Sequence, residues 1–485
     1  MTRLLALFTG VLLLVTGCGK TEEPPAAECD YEDLDLTQCD TSTLGSLQAD
    51  GIWNMNLTFA EGDTAPAVIR FSGEPQIAGL PMSDKRVESD VFLLTSEVQT
   101  VEQVPRTVRY LFAGCRASAP TQVQGTFRRC TSGKKDLEGT FEAKRVLRRE
   151  GEAEASGVEL VSELALPNGS ARDIFLAGGY AYVAAREAGL YIFDISNPQA
   201  PTLAKALELN PTDNDAWHQV WVKNQTLYVA SSKRGVLVFD LTNPKDPVSP
   251  KGYPTPGVDV RALAIDGDFL YAASPSPNAE VLILDLTKPR EPVVAKRYFV
   301  EETDPSLGDL PWDVAVSGGR LYVSHGFYGL AVSNVADPRQ PKLLGRYAYT
   351  GADTRTALVG TFGFRTLAFE AGEGWGAHLK VLNVSSPELI TKGGEFKLRS
   401  EVAPSSMALV GTKLYVAHYQ DGLRVLNVTE ADTLEPLGYY NTWRESDGRR
   451  GNSFFEGASD VEAPGDGYLY VAETSRGLVI LREQP

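Results

Sequence analysis

The chain has 485 residues, 43% of them hydrophobic and 22% charged, a globular balance that excludes whole-chain disorder and allows a large core. A formal net charge of −17 argues against nucleic acid as a partner, since holding phosphates takes clustered Lys and Arg, and against adsorption on anionic lipid.

Met1-Thr2-Arg3 is a short basic start, and Leu4 to Val15 is an apolar run. The run falls short of the ~20 residues that a spanning helix needs, so residues 1–17 read as a signal peptide. Its end, Val15-Thr16-Gly17-Cys18, resembles the bacterial lipobox. That resemblance implies cleavage before Cys18, a thioether lipid on its sulfur and acylation of the new amino terminus. Gly19, where Asp would retain a lipoprotein at the inner membrane, resembles the outer-membrane sorting pattern of Gram-negative bacteria. A membrane partner is therefore expected through the lipid, with polar residues 18–28 as a tether. Cys29, Cys39, Cys115 and Cys130 remain, an even number in an exported chain, so disulfides are expected. Closeness in sequence favours Cys29–Cys39 and Cys115–Cys130.

Residues 29–149 hold short strand-like runs, among them 52–59, 67–71, 91–95, 107–113, 122–127 and 137–143. Gly125-Thr126-Phe127 and Gly139-Thr140-Phe141 suggest two related antiparallel strands. The expectation is a small disulfide-stapled β-sandwich or barrel, followed by a linker over 150–157.

From 158 onward the chain repeats. Ala181-Tyr-Val-Ala-Ala returns as Leu227-Tyr-Val-Ala-Ser, Leu270-Tyr-Ala-Ala-Ser, Leu321-Tyr-Val-Ser-His, Leu414-Tyr-Val-Ala-His and Leu469-Tyr-Val-Ala-Glu, with Arg365-Thr-Leu-Ala-Phe as a degenerate copy. The anchors at 182, 228, 271, 322, 366, 415 and 470 lie 43 to 55 residues apart. Most are followed by a Gly and a second apolar strand, then a turn such as Ser196-Asn-Pro, then an outer strand. Each unit thus supplies four strands, inner A, Tyr-bearing B, C and outer D. An all-β, seven-bladed β-propeller over 158–485 follows, its sheet edges disposed of by radial repetition. The stretch Tyr191-Ile-Phe-Asp-Ile-Ser-Asn-Pro resembles the LVIVD-repeat propeller family, which implies the fold and no single activity. The last unit stops after strand C, and Val158 to Leu166 is expected to supply its missing outer strand. Asp194, Asp240 and Asp285, with Asn334, Asn383 and Asn427, recur at the end of strand C and read as Asx-turn residues.

A–B and C–D turns are short, whereas D–A loops (210–216, 300–311, 441–457) and B–C loops (274–280, 370–377) carry insertions. Those two classes share one propeller face, which is where binding is expected. Candidate binding residues on it are Arg172, Asp173, Trp217, His218, Arg261, Trp312, Asp313, Arg355 and Asp460 at the starts of strand A. His325, His418 and Glu473 end strand B, and Trp375 belongs to the long loop of the fifth unit. Aromatic and Arg residues around a polar funnel suit a peptide, glycan or small polar ligand, and a protein, peptide or glycan partner is expected. No catalytic motif, metal ligand set or cofactor is indicated, so the expected function is that of an envelope binding or scaffold lipoprotein. The competing readings are a propeller hydrolase or lyase using Asp173, Asp313, Asp460 and His218, and a structural subunit of an envelope complex.

Overall fold

The computed structural model describes residues 29–101, 104–249, 252–430, 433–447, 450–451 and 453–484. The expected signal peptide, Cys18 and the expected tether fall outside them. The chain divides into two compact units, one ending at Leu147 and the other beginning at Arg148, with residues 452–454 grouped with the first.

The first unit is the expected small disulfide-stapled β-domain, one nine-stranded antiparallel sheet that forms a half-barrel. Its strands are β1 (Ile52–Phe59), β2 (Thr64–Arg70), β3 (Gln76–Ile77), β4 (Leu80–Pro81), β5 (Asp84–Val87), β6 (Phe92–Gln99), β7 (Thr107–Ala119), β8 (Gln122–Thr131) and β9 (Lys134–Arg145). They run in the order β4-β3-β2-β1-β9-β8-β7-β6-β5. Alternate residues Trp53, Met55 and Leu57, then Phe92 and Leu94, then Tyr110 and Phe112, put one face of the sheet into a buried core. Thr126 pairs with Thr140, so Gly125 lies opposite Phe141 and Gly139 opposite Phe127. A Cβ on either Gly would sit 2.6–2.8 Å from the facing ring, so each Gly makes room for the other strand's Phe.

The disulfides are Cys29–Cys130 and Cys39–Cys115, not the sequence-adjacent pairs. Register explains the correction. Gly114 faces Gly125 and Arg109 faces Cys130, which leaves Cys115 about five residues, or ~17 Å, along the ladder from Cys130. A bridge needs Cα atoms within about 7 Å. The bridges instead fasten residues 29–47, which form only two short 3-10 helices, onto β7 and β8.

The second unit is the seven-bladed propeller. Blade 1 comprises strands A (Asp173–Ala177), B (Tyr180–Ala184), C (Gly189–Asp194) and D (Thr202–Glu208), in that order across the sheet. Blades 3, 4 and 5 repeat the order over 262–298, 313–347 and 354–396. Blade 2 (217–240) has three strands, with strand D reduced to a bridge between Asp240 and Val248. Pro247, Pro250, Pro254 and Pro256 crowd that stretch and remove the donors a ladder needs. The outer strand of blade 7 is Val158–Leu164, paired with Gly477–Glu483. Residues 150–157, expected as a linker, are partly recruited into the ring. Ala155–Ser156 pairs with Glu435–Tyr440 as a fifth strand of blade 6, and Glu152 binds the Arg424 guanidinium at 2.7 and 3.1 Å.

Strands B and C are apolar throughout because each has a blade on both sides. Every pair of neighbouring blades, the seventh and first included, shares a buried apolar cluster. The recurrent strand-B tyrosines 182, 228, 271, 322, 415 and 470 are all at most 3% exposed. The Gly that opens strand C has its own cause. Gly189, Gly329 and Gly422 have φ of +102°, +95° and +73°, and a Cβ there would lie 2.1–2.2 Å from a strand-D carbonyl oxygen.

All six Asx residues act as expected, accepting from the backbone N–H two residues on: Ser196, Thr242, Thr287, Ala336, Ser385 and Thr429. The Ser196 and Thr242 hydroxyls, then the backbone N–H bonds, hold the carboxyls of Asp194 and Asp240 below their ordinary pKa, and the Thr287 N–H chiefly does so for Asp285. Where the residue is Asp, the next blade brings a cation to it. Lys245, Arg290 and Arg339 lie 3.6, 2.6 and 2.6 Å from Asp194, Asp240 and Asp285.

Candidate functional site

The long loops do share a face, and the backbone joins them there. The B–C turn of one blade bridges to the strand-A start of the next at Arg186–Trp217, Gly326–Thr354 and Tyr419–Ala458. The three turn residues all have positive φ, +49°, +56° and +28°, so blade 4 uses Gly where blades 1 and 6 strain an Arg and a Tyr.

The acids expected to converge in the channel do so, but as structural ties. Asp173 Oδ2 accepts from Val220 N of blade 2 at 2.9 Å. Asp313 Oδ2 accepts from Thr356 Oγ1 and Ala357 N of blade 5 at 2.8 and 3.3 Å. Asp460 Oδ2 accepts from Ile174 N of blade 1 at 2.8 Å, and its Oδ1 accepts from Ser406 Oγ of blade 6. Gln219 does the same for Leu263 N of blade 3. This ring of side chains stitches inner strands that otherwise share no ladder. The price is burial. Asp313 is pushed up to about 6, and Asp173 and Asp460, hydrogen-bonded to each other, are both raised by burial. Glu462, two residues on, is lifted to about 8 by burial and by the Asp460 charge. Each of the three Asp thus has an oxygen engaged by a backbone N–H of the next blade.

Above the acids lies a cationic funnel. Arg172 donates to the Phe455 carbonyl and stands 3.5 Å from Glu456 in the loop entering blade 7. Arg261 is held by Asp259 through Nε and Nη2 at 3.0 and 2.8 Å. Trp312, half-buried, has the Arg355 guanidinium 4.2 Å and the Arg261 guanidinium 6.0 Å from its ring, a cation–π arrangement across three blades. Arg355 is also paired with Asp353 at 2.8 Å. Arg186 is exposed by area yet flanked by protein on most sides, as befits a side chain inside a funnel. Burial, then the Arg172 charge, lowers its pKa. His218 is pulled well below its ordinary 6.5 by burial and by Arg261 and Arg186, so it is neutral at pH 7. A cavity of about 320 Å³ opens between blades 1, 2 and 3, lined by Arg186, His218 and Arg261 with polar residues of the 210–216 loop.

The other candidates sit elsewhere. Trp217 is buried against Phe239 at 5.8 Å and belongs to the core. His325 and His418 are 0% and 2% exposed, beneath the face rather than on it. Burial pushes both down to about 4, so both are neutral at pH 7. Glu473 is fully buried and paired with Arg450 at 3.2 Å. Trp375 is half-buried in the blade 5 loop. Among the described residues no group of three or more His, Cys, Asp or Glu could hold a metal ion. Sequence reasoning missed Arg186, Gln219 and Glu462. Aligning the turns would have flagged Arg186 opposite Gly326, and aligning strand A would have set Gln219 beside Asp173, Asp313 and Asp460.

Residues 168–207, 311–349 and 457–481, in blades 1, 4 and 7, match the LVIVD repeat. The chain is therefore an all-β propeller carrying LVIVD repeats. No curated protein matches it in sequence. Among solved structures it is similar to the WD40 β-propeller domain of Doa1, at a TM-score of 0.50 and 11% identity over 68% of this chain and 98% of that one. The computationally designed Ika8 protein matches at a TM-score of 0.44 and 8% identity, over 67% of this chain and all of that one. The likeness to the Doa1 domain is one of fold alone.

Proposed function

We propose that the protein is a lipid-anchored, extracytoplasmic binding protein that offers the loop-bearing face of its propeller to a protein, peptide or glycan, without catalysing a reaction. The observation that carries this reading is the convergence of Arg172, Arg186, Arg261 and Arg355 with Trp312 around one funnel. Arg and aromatic side chains on a rigid scaffold are what binding hot spots are made of. The acids that hydrolysis would need are engaged by neighbouring strands, which favours binding over chemistry. Two disulfides suit an oxidising compartment. The lipobox-like Val15-Thr16-Gly17-Cys18 supports attachment to a membrane, and Gly19 supports the outer one.

Capture of partners from intact envelopes tests the face. Trp312→Ala and Trp375→Ala are expected to lose partners that the wild-type chain retains, and unchanged recovery counts against the face. Incorporation of radioactive fatty acid tests the anchor. Label is expected on the wild type and absent from Cys18→Ala; label persisting on that variant refutes the anchor.

A further inference from the structure

Within the funnel, one cavity has an unspent charge. Arg186 lies in a left-handed turn where blade 4 has Gly326, and its main chain is pinned by paired hydrogen bonds to Trp217 at 3.0 and 3.1 Å. Its guanidinium has no hydrogen-bond or ion-pair partner among the described residues, although Arg172 is close enough to repel it. His218 Nε2, beside it, is buried without a partner. A buried polar nitrogen left so carries a cost that a bound hydrogen-bonding partner removes. Arg261 is aimed by Asp259 through Nε and Nη2, leaving its other amino group unused by that pair.

Glu187 and Glu373 act on the Arg186 charge only at a distance, less than Arg172 does, and neither forms a hydrogen bond or ion pair with it among the described residues. Asp215 is already taken by Ser231, Ser232 and Arg234, and Glu187 is exposed to solvent. Composition does not account for the cluster either, since the whole chain carries −17. A small group of cations inside an acidic protein marks a local demand for negative charge.

We propose that this cavity binds a small hydrophilic oxyanion, a carboxylate, sulfate or phosphate on a body no larger than a monosaccharide, held by Arg186, His218 and Arg261. About 320 Å³ lies at the low end of ligand pockets, which limits the body to that size. The apolar lining amounts to Pro211 and Ala216, so the ligand is polar. Arg186 and Arg261 donate charge-assisted hydrogen bonds to its oxygens, and neutral His218 donates or accepts one. The inference rests on the loop face being the binding face, and it names the chemistry that face selects.

Titration calorimetry on the full detergent-solubilised chain tests it. Phosphate and sulfate probe a free inorganic anion, galacturonate a sugar acid, and galactose serves as the neutral twin. Saturable binding of at least one anionic probe is expected, with galactose inert. Arg186→Gln is expected to weaken that binding tenfold or more and Arg186→Lys less, both with unchanged thermal midpoints. In ¹⁵N spectra, where the chain has only four His, the ring signal of His218 is expected to shift on binding. Failure of every anionic probe, equal binding by Arg186→Gln, or galactose binding as well as galacturonate overturns the proposal. Partner capture through Trp312 and Trp375 is read separately, so failure here is distinguishable from failure of the face.

Discussion

Asp313 permits a worked test of the strand-A ties. Its Oδ2 serves Thr356 and Ala357 of the next blade, and its Oδ1 accepts from Val314 N at 2.8 Å. Burial raises its pKa from 3.8 to about 6. A carboxyl with a raised folded pKa binds more protons folded than unfolded. It therefore costs nothing below 3.8 and removes stability as pH climbs towards about 6. The gap of roughly two units corresponds to about 3 kcal/mol. Asn keeps the acceptor for blade 5 and carries no charge to desolvate, but its amide cannot accept from Val314, a loss of ~1 kcal/mol. Asp313→Asn is thus expected to be less stable than wild type by ~1 kcal/mol at pH 4 and more stable by ~2 kcal/mol at pH 8. Urea unfolding followed by tryptophan fluorescence at the two pH values measures both. A difference that does not change sign with pH would falsify the assignment of Asp313 as a desolvated tie.

Other expectations follow from separate parts of the molecule. Glu462→Gln should leave stability unchanged at pH 4 and raise the thermal midpoint progressively as pH climbs from 4.5 to about 8, because over that range the wild-type carboxyl stays protonated in the folded chain while the unfolded one ionises. Non-reducing peptide mapping should recover Cys29 with Cys130 and Cys39 with Cys115. Replacing either pair by Ser should cost the first unit up to about 4–5 kcal/mol, given loops of 101 and 76 residues. Gly329→Ala places a Cβ 2.1 Å from the Tyr347 carbonyl at φ +95° and should lower stability by about 1–3 kcal/mol in chemical unfolding.

What was legible in the sequence was what repetition makes local. The Tyr of strand B, the Gly before strand C and the Asx turn answer the same constraint in blade after blade, so each copy confirms the others. The borrowed strand Val158–Leu164 could be read because the final unit lacks a partner for Gly477–Glu483. Unequal loop lengths pointed to the face, since strand direction decides which loops meet. Disulfide pairing stayed hidden because it depends on register between β7 and β8, and proximity in sequence was a poor guide to it. The roles of Asp173, Asp313 and Asp460 were hidden for a similar reason. An acid at a channel looks the same in sequence whether it faces a ligand or the N–H of the next blade. Arg186 escaped notice because its singularity is conformational, an Arg in a glycine's backbone.

The funnel exists only if the ring is closed by the strand that precedes it. Glu159 and Arg482 face each other across the final ladder, both with exposed side chains, and the propeller contains no native Cys. Facing residues in an antiparallel pair have Cα atoms about 4.5–5.5 Å apart, within the span of a disulfide. The double variant Glu159→Cys with Arg482→Cys should oxidise to an intramolecular bridge and raise the unfolding midpoint. Two thiols that stay open to maleimide, or that pair only between molecules, would contradict the closed ring.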